Sequence, residues 1–491
     1  MNFPLIIVLF YFLVSCSHGQ QQKEEEKVIE QKPNFLFVLV DDLGWTDLGV
    51  YGSSFYETPN LDKIARKGMI FTNAYAACPV CSPTRASILS GKYPARIAAT
   101  DWFGAPQPDE VEKHWTKNKP LLPASYNEFM ALEEKTIAET LKENGYSTFF
   151  AGKWHLGETE ELWPVHQGFD VNMGGYSSGS PRGNHYFPPY SNPRLEDGPE
   201  TEHLPDRLAS ETINFIENNK DKPFLTYLSF YSVHTPLGTR EDLKKKYEKK
   251  KADLGLSDKW GEEGERKVRE VQCHPVYAGM VEAMDLAVGK VLNKLAELQL
   301  DKNTIVIFMS DNGGLSTSEG HPTSNLPLRG GKGWLYEGGI REPMFVFWPG
   351  VTPENSSCDL PVVSTDFYPT MLEMAGIPQL PQQHLDGKSI VPLLKNEAME
   401  RGAIFWHYPH YGNQGGSPGS AIREGDWKLV EWFEDGGKLE LYNLKNDIGE
   451  KENLKDNNPE KLEELYAKLK SWRETVGARY PSPNPVVVNN N

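Results

Sequence analysis

The sequence predicts an α/β fold: a large, mostly parallel sheet sandwiched by helices, with a smaller C-terminal subdomain of antiparallel strands and one helix. Three observations carry this. Four continuous apolar runs, at 34–40, 147–151, 224–230 and 304–309, have the length and composition of strands buried on both faces. Helical patterns precede two of them, as alternating α and β elements require. Near residue 380 the pattern gives way to short strand-like pieces separated by Gly- and Pro-rich turns.

Taken in chain order, Leu5 to Val14 (LIIVLFYFLV) suits a signal-peptide core and is too short for a membrane span, which needs about 20 apolar residues. Leu13-Val14-Ser15-Cys16 then resembles a bacterial lipoprotein box, although the Met-Asn-Phe-Pro that opens the chain has no Lys or Arg. This predicts lipidation of Cys16 and export to the periplasm or cell surface, with the membrane reached through a lipid anchor only. Residues 1–16 are read as this signal, 17–33 as a flexible polar tether, and 34–380 as the N-terminal α/β domain. Residues 381–480 are read as the C-terminal subdomain and 481–491 as a frayed tail.

The run Asn34 to Val40 ends in Asp41-Asp42. Residues 82–90 read as a helix. A second helix spans Thr136 to Asn144, stopped by Gly145, and the strand that follows leads into Lys153-Trp154-His155. The run Phe224 to Phe230 leads to His234. The charged stretch 240–271 reads as a solvated helical insertion. A helix over Ala278 to Leu298 precedes the run Thr304 to Met309, which ends in Ser310-Asp311-Asn312. Strand-like pieces follow at 403–406, 421–423, 427–432 and 439–442, with turns at 413–419 and 435–437. The last helix spans Pro459 to Val476, is capped by Asn458, and presents Leu462, Leu465, Leu469, Trp472 and Val476 on one face.

Each buried run therefore delivers acids, amides, Lys or His at its C-terminal end, where open α/β sheets bind ligands. Turns favour Asp and Asn too, but four ends with complementary chemistry go beyond turn preference. The formal net charge of −17 over 491 residues argues against a nucleic-acid partner. Five cysteines (16, 78, 81, 273 and 358) are too few for a disulfide scaffold. Cys78-Pro-Val-Cys81 has no second CxxC to complete a zinc site, and its surroundings lack a thioredoxin-like layout.

Asp41, Asp42, Asp311 and Asn312 are hard oxygen donors, which select Ca²⁺, or less readily Mg²⁺, over zinc. Three carboxylates brought together would also repel unless a cation joined them. Arg85, Lys153, His155, His234 and Lys332 supply local positive charge in an acidic chain. That suits an ester of a tetrahedral oxyanion, whose transition-state charge lies on equatorial oxygens.

One block organises these residues: Cys81-Ser82-Pro83-Thr84-Arg85-Ala86-Ser87-Ile88-Leu89-Ser90-Gly91. With VDDLGW, GKWHLG, HTP, SDNGG, RGGKGWLYEGGIREP and STDFYPTMLEMAGI in this order, it is similar to the type I sulfatases of the alkaline-phosphatase superfamily. The resemblance implies an alkaline-phosphatase-like fold. It also implies that Cys81 is oxidised to formylglycine by a formylglycine-generating or anaerobic sulfatase-maturating enzyme. Asp41, Asp42, Asp311 and Asn312, with oxidised Cys81 beside them, would bind the metal, usually calcium. Arg85 would hold the formylglycine hydrate, and Lys153 and Lys332 would grip sulfate oxygens. One hydroxyl of the hydrate would attack sulfur while His234 protonates the departing alcohol. His155 would take the proton of the second hydroxyl, so that sulfate leaves as the aldehyde reforms.

The block HYPHYGNQGGSPGSAIREGDWKL resembles carbohydrate sulfatases, in which this region closes over the sugar. The implied substrate is a sulfated oligosaccharide or polysaccharide of ulvan, galactan/carrageenan or glycosaminoglycan type. Trp102, His185, His321, Arg329, His407 and His410 are candidate substrate contacts, and Glu337 to Arg341 is expected to brace the sheet. Two alternatives stand beside this reading. One is a phosphomonoesterase or phosphodiesterase of the same superfamily, which would more often carry Ser or Thr at the nucleophile and a second metal. The other is an inactive, lipid-anchored glycan-binding relic, which would have lost Cys81, a metal aspartate or a histidine.

Overall fold

The computed structural model describes Met1 and residues 32–488, other than 112, 113 and 435. The targeting segment, Cys16 and most of the 17–33 tether lie outside the described residues. Among the described residues no helix is long and apolar enough to cross a membrane.

The strands form a nine-stranded sheet. Its order is Ser356–Cys358, Met69–Tyr75, Arg341–Phe347, Thr304–Ser310, Asn34–Val40, Phe224–Ser229, Ser147–Gly152 and Val171–Met173, with Val362–Val363 pairing the Met69–Tyr75 strand. The four strands read from apolar runs are adjacent and parallel: Asn34–Val40 pairs with Thr304–Ser310 on one side and Phe224–Ser229 on the other, and Ser147–Gly152 follows. Arg341–Phe347 is antiparallel to both its neighbours. Adjacency explains the site, because four neighbouring parallel strands end at the same sheet edge.

Alternation along Asn34–Val40 divides the core. Leu36, Val38 and Val40 enter one apolar cluster with residues of helices Pro59–Lys67, Leu204–Asn219 and Pro275–Glu297. Phe35, Phe37 and Leu39 enter another with residues of helices Cys81–Ser90, Ile137–Glu143 and Phe367–Met374. Side chains of a strand point to alternate faces, so a fully apolar run serves two helical layers. Thr136 caps its helix with a reciprocal capping box to Glu139.

The C-terminal subdomain is a four-stranded antiparallel sheet, Ile404–Tyr408, Gly419–Glu424, Trp427–Trp432 and Lys438–Asn443, covered by helix Pro459–Val476. Tyr75, Tyr93 and Ile340 of the main domain share an apolar cluster with Trp406, Leu429, Leu465 and Trp472. Residues from Lys32 onward form one compact unit. Beneath this contact Lys428 lies 2.9 Å from Glu337 and 2.8 Å from Glu450, all three without solvent exposure, so Glu337, which also pairs with Arg341 within its own domain, braces the two parts through a lysine.

Several expectations are corrected. The 240–271 insertion is a helix, Glu241–Asp253, followed by a hairpin of Trp260–Glu263 and Arg266–Arg269. Gly264 at its tip takes φ +55°, a left-handed turn that charge patterning alone does not reveal. The long helix begins at Pro275 because Pro suits the first helical position and His274 accepts from Tyr277 N–H. Asn458 sits at the cap position of the last helix, but its side chain turns back to donate to the Leu454 carbonyl. The tail is docked as far as it is described: Ser482–Pro483 pairs with Leu121–Leu122, and buried Asn484 donates to the carbonyls of Lys117 and Lys119.

Candidate active site

Cys81 is the first residue of helix Cys81–Ser90, which is buried along its whole length. Three carboxylates close the sheet edge beside it. Asp41 and Asp42 follow Asn34–Val40, and Asp311 follows Thr304–Ser310; all three are 0% exposed. Each has its own cation. Lys153 Nζ lies 2.6 Å from Asp41 Oδ2, Lys332 Nζ 2.7 Å from Asp42 Oδ1, and Arg85 Nη2 2.8 Å from Asp311 Oδ2. These three buried cations offset part of the repulsion among the carboxylates, and Asp41 still feels Asp311 and Asp42.

A different observation bears on a metal. Asp41 Oδ1 and Asn312 Oδ1 are buried oxygens with no hydrogen-bond partner among the described residues. Unsatisfied buried oxygens are costly, and a hard cation would satisfy both. Asn312 Nδ2 donates to Asp42 Oδ1 at 2.7 Å, which fixes which amide atom is left over. Ligand atoms of Asp41, Asp42 and His234 lie within 4.8 Å of one another. The donor set therefore fits a divalent metal.

The electrostatics are consistent with this crowding. Burial, together with Asp311 and Asp42, holds the Asp41 carboxyl well above its usual range despite Lys153. Burial would raise Asp42 as well, but Lys332, His234 and Lys153 overcome it and hold that carboxyl low. Burial pushes the Cys81 thiol up, against the pull of Lys153 and Lys332.

The two histidines are fixed by their outer partners. His155 Nε2 lies 3.1 Å from the Phe103 carbonyl and Nδ1 lies 3.4 Å from Cys81 Sγ. A carbonyl only accepts, so the proton sits on Nε2 and Nδ1 presents a lone pair to residue 81. Burial, Lys153 and Arg85 hold this imidazole neutral. His234 has the opposite arrangement: Nδ1 lies 2.5 Å from the Thr235 carbonyl, and Nε2 points toward Asp42 at 3.7 Å. Burial and Lys332 lower it to about 4.

Asp42 and His155 both take left-handed φ, +61° and +57°, at a cost non-glycine residues bear only where the surroundings enforce it. Two glycines make room. A Cβ on Gly179 would sit 2.4 Å from His155 Cε1, and one on Gly313 would meet the Gly338 carbonyl at 1.9 Å.

Above this floor opens a cavity of about 450 Å³, within the range of small-molecule sites. Cys81, His155, His234, Lys332 and Trp102 line it. Arg85 and Lys153 lie beneath: Arg85 Nη1 donates to the Lys153 carbonyl and to Ser229 Oγ, both at 2.7 Å.

Most expected substrate contacts lie elsewhere. Arg329 pairs with Glu263 at 2.7 Å and covers the Tyr336 ring. His407 is held by Ser420 Oγ and the Arg479 carbonyl, both at 2.7 Å. His321 packs edge-on against Trp260, and His185 is exposed and is not among the residues lining the cavity. His410 bonds Thr100 Oγ1 at 2.8 Å. Sequence reasoning missed Glu158, Arg182, Glu319 and Gln414, which do line the cavity. Glu319 accepts from Thr235 Oγ1 and Gln414 Nε2, tying the catalytic floor to the C-terminal subdomain.

Residues 33–377 match the sulfatase family, and residues 331–476 match the C-terminal region of N-sulphoglucosamine sulphohydrolase. A sulfatase of Formosa agariphila is 33% identical over 95% of this chain and 93% of its own length. Human N-acetylgalactosamine-6-sulfatase is 33% identical over 77% of this chain and 68% of its own. The crystal structure of Ps i-CgsB superimposes with a TM-score of 0.74 at 30% identity, covering 90% of this chain and 93% of that one; it has also been solved with k-i-k-neocarrahexaose. The chain belongs to the sulfatase family and is a sulfuric ester hydrolase. Members of the family generally bind a divalent metal, in keeping with the acidic cluster at the sheet edge.

Proposed function

We propose that this sulfatase removes sulfate from a sulfated carbohydrate, as an oligosaccharide of a carrageenan, ulvan or glycosaminoglycan type of polymer, using residue 81 as formylglycine beside a bound Ca²⁺. The observation that carries this is the pairing of residue 81 with the lone pair of His155 Nδ1 at 3.4 Å. A thiol with a raised pKa in this position is a poor nucleophile, whereas an oxygen there has a base already aimed at it. The carbohydrate class rests on relatives: N-acetylgalactosamine-6-sulfatase by its name, and Ps i-CgsB by its complex with an oligosaccharide.

As the hydrated aldehyde, residue 81 would supply the oxygen nucleophile at sulfur. Ca²⁺ held by Asp41, Asp42, Asp311 and Asn312 would supply charge stabilisation there. Lys153 and Lys332 position the sulfate oxygens, and the start of helix Cys81–Ser90 adds backbone N–H groups and a favourable dipole. His155 Nδ1 accepts a proton from the residue-81 side chain. His234 Nε2 gives a proton to the leaving sugar oxygen. Burial, with Lys332 and Lys153, lowers its pKa to about 4, and an anionic ester arriving between those cations and the ring counters their share and favours the protonated form.

The apolar segment before Cys16 supports export to the periplasm or cell surface with a lipid anchor on that residue, which acyl labelling with a Cys16→Ser control tests. Desulfation across defined sulfated oligosaccharides, with the protein made beside a maturation enzyme, tests the function. Release of sulfate from at least one is expected. Turnover of phosphate esters alone would overturn the reading.

A further inference from the structure

Beside the main cavity lies a second one of about 160 Å³, lined by Trp102, His114, Trp115, Thr116, His410 and Tyr411 among others. The two cavities are neighbours in a strict sense: Trp102 and Asn413 line both. Trp102 therefore forms the ridge between them. The floor of the main cavity holds the reacting groups, whereas the second holds none of them.

The second cavity has the makings of a sugar site. Trp115, at its edge, is 43% exposed and so presents part of its ring to a ligand in the cavity. Trp102, Trp115 and Tyr411 supply aromatic rings from three positions in the chain, and a pyranose presents apolar C–H faces to such rings. Polar groups stand beside them. His114 Nδ1 and Thr116 Oγ1 are buried and have no hydrogen-bond partner among the described residues. Such atoms are costly unless something bonds to them, and sugar hydroxyls both donate and accept. The cluster is held in place from behind: His410 bonds Thr100 and lies 3.5 Å from the Asp101 carboxylate, which in turn accepts from Trp102 N–H and the Tyr408 hydroxyl.

We infer that the second cavity is a subsite for the hexopyranose glycosidically linked to the sulfated unit, with the chain of the substrate crossing the Trp102 ridge. The inference rests on the carbohydrate reading above and deepens it: the preferred substrate has at least two sugar units, and the second is bound by stacking. The C-terminal subdomain contributes to both cavities, through Asn413 and Gln414 to one and through His410, Tyr411 and Asn413 to the other.

The test compares kcat/KM on matched pairs that carry the same sulfated unit as a monosaccharide and as a di- or tetrasaccharide. N-acetylgalactosamine 6-sulfate with chondroitin 6-sulfate oligosaccharides is one pair, and carrageenan-derived galactose 4-sulfate with neocarraoligosaccharides another. 4-Nitrocatechol sulfate serves as a reporter of sulfatase chemistry alone. The oligosaccharide of at least one pair is expected to be favoured about tenfold or more. Trp115→Ala is expected to lower that ratio to near one, and Trp115→Phe to restore most of it. An unchanged ratio in Trp115→Ala, or equal kcat/KM for both members of every pair, overturns the subsite. Turnover of 4-nitrocatechol sulfate with no carbohydrate desulfated also overturns it and leaves the chemistry standing. Failure on the aryl sulfate as well, by protein whose residue 81 is oxidised, overturns the sulfatase reading itself.

Discussion

Cys81 Sγ lies 3.4 Å from His155 Nδ1, and the carbonyl of Phe103 on the far side of the ring determines that this nitrogen carries the lone pair. The ring is seated against Gly179, where there is no space for a Cβ. Gly179→Ala is therefore expected to push the imidazole off its line to residue 81. Displacements of this size cost on the order of 10²-fold in rate. Steady-state kinetics should show the loss in kcat, with the thermal midpoint within a few degrees of the parent.

His234 is assigned to the departing oxygen, and its removal should depend on what departs. A sugar alkoxide needs a proton, whereas a nitrophenolate leaves without one. His234→Ala is expected to lower kcat on a carbohydrate sulfate by about 10² to 10⁴, the usual contribution of a general acid. The loss on an aryl sulfate with a good leaving group should be much smaller. Equal losses on both would show that His234 does something other than protonate the leaving group.

The orphaned oxygens of Asp41 and Asn312 predict a metal-dependent stability. A ligand held at 100 times its Kd adds about 2.7 kcal/mol to the folded state. Chelation should lower both activity and the unfolding midpoint, and Ca²⁺ should restore both. Asp41→Asn and Asn312→Ala should each blunt the calcium-induced shift.

Buried histidines give a signed pH dependence away from the site. His407 is held neutral between Ser420 and the Arg479 carbonyl, with burial lowering it to about 4 from an ordinary 6.5. Below pH 6.5 the unfolded chain takes up a proton that the folded one refuses, so acid favours unfolding until the pH falls through about 4. The stability of the parent relative to His407→Gln should therefore shrink on going from pH 7 to pH 5, by on the order of 1–2 kcal/mol. Denaturant titrations at the two pH values measure it. A constant gap would mean that the ring is protonated in the folded protein.

Much of this molecule was legible in its sequence for a physical reason. Strands buried on both faces are apolar throughout, so Asn34–Val40 and Thr304–Ser310 declared themselves, and their ends carried Asp41, Asp42, Asp311 and Asn312. Helix Pro459–Val476 was legible to the residue because Pro459 opens it and Gly477 closes it in a left-handed conformation. What escaped reading depends on the third dimension. Histidines and arginines look alike whether they face a substrate or a buried carbonyl, so Arg329 and His407 were expected at the cavity and are found in structural bonds. Glu319 and Arg182 come from loops without motif character, and only the fold brings them over Cys81; Gln414 lies in the block read as closing over the sugar but was not singled out within it. Arg85, Lys153 and Lys332 were legible as local positive charge, but not which carboxylate each one meets, because sequence lists charges without pairing them.

The central claim is that residue 81 acts as an aldehyde-derived oxygen rather than as a thiol. Its direct test is the mass of the tryptic peptide ending at Arg85, taken from protein that is turning over substrate. Conversion of cysteine to formylglycine predicts a mass about 18 Da below that of the unmodified peptide. Active protein whose peptide carries only the intact cysteine mass would contradict the account.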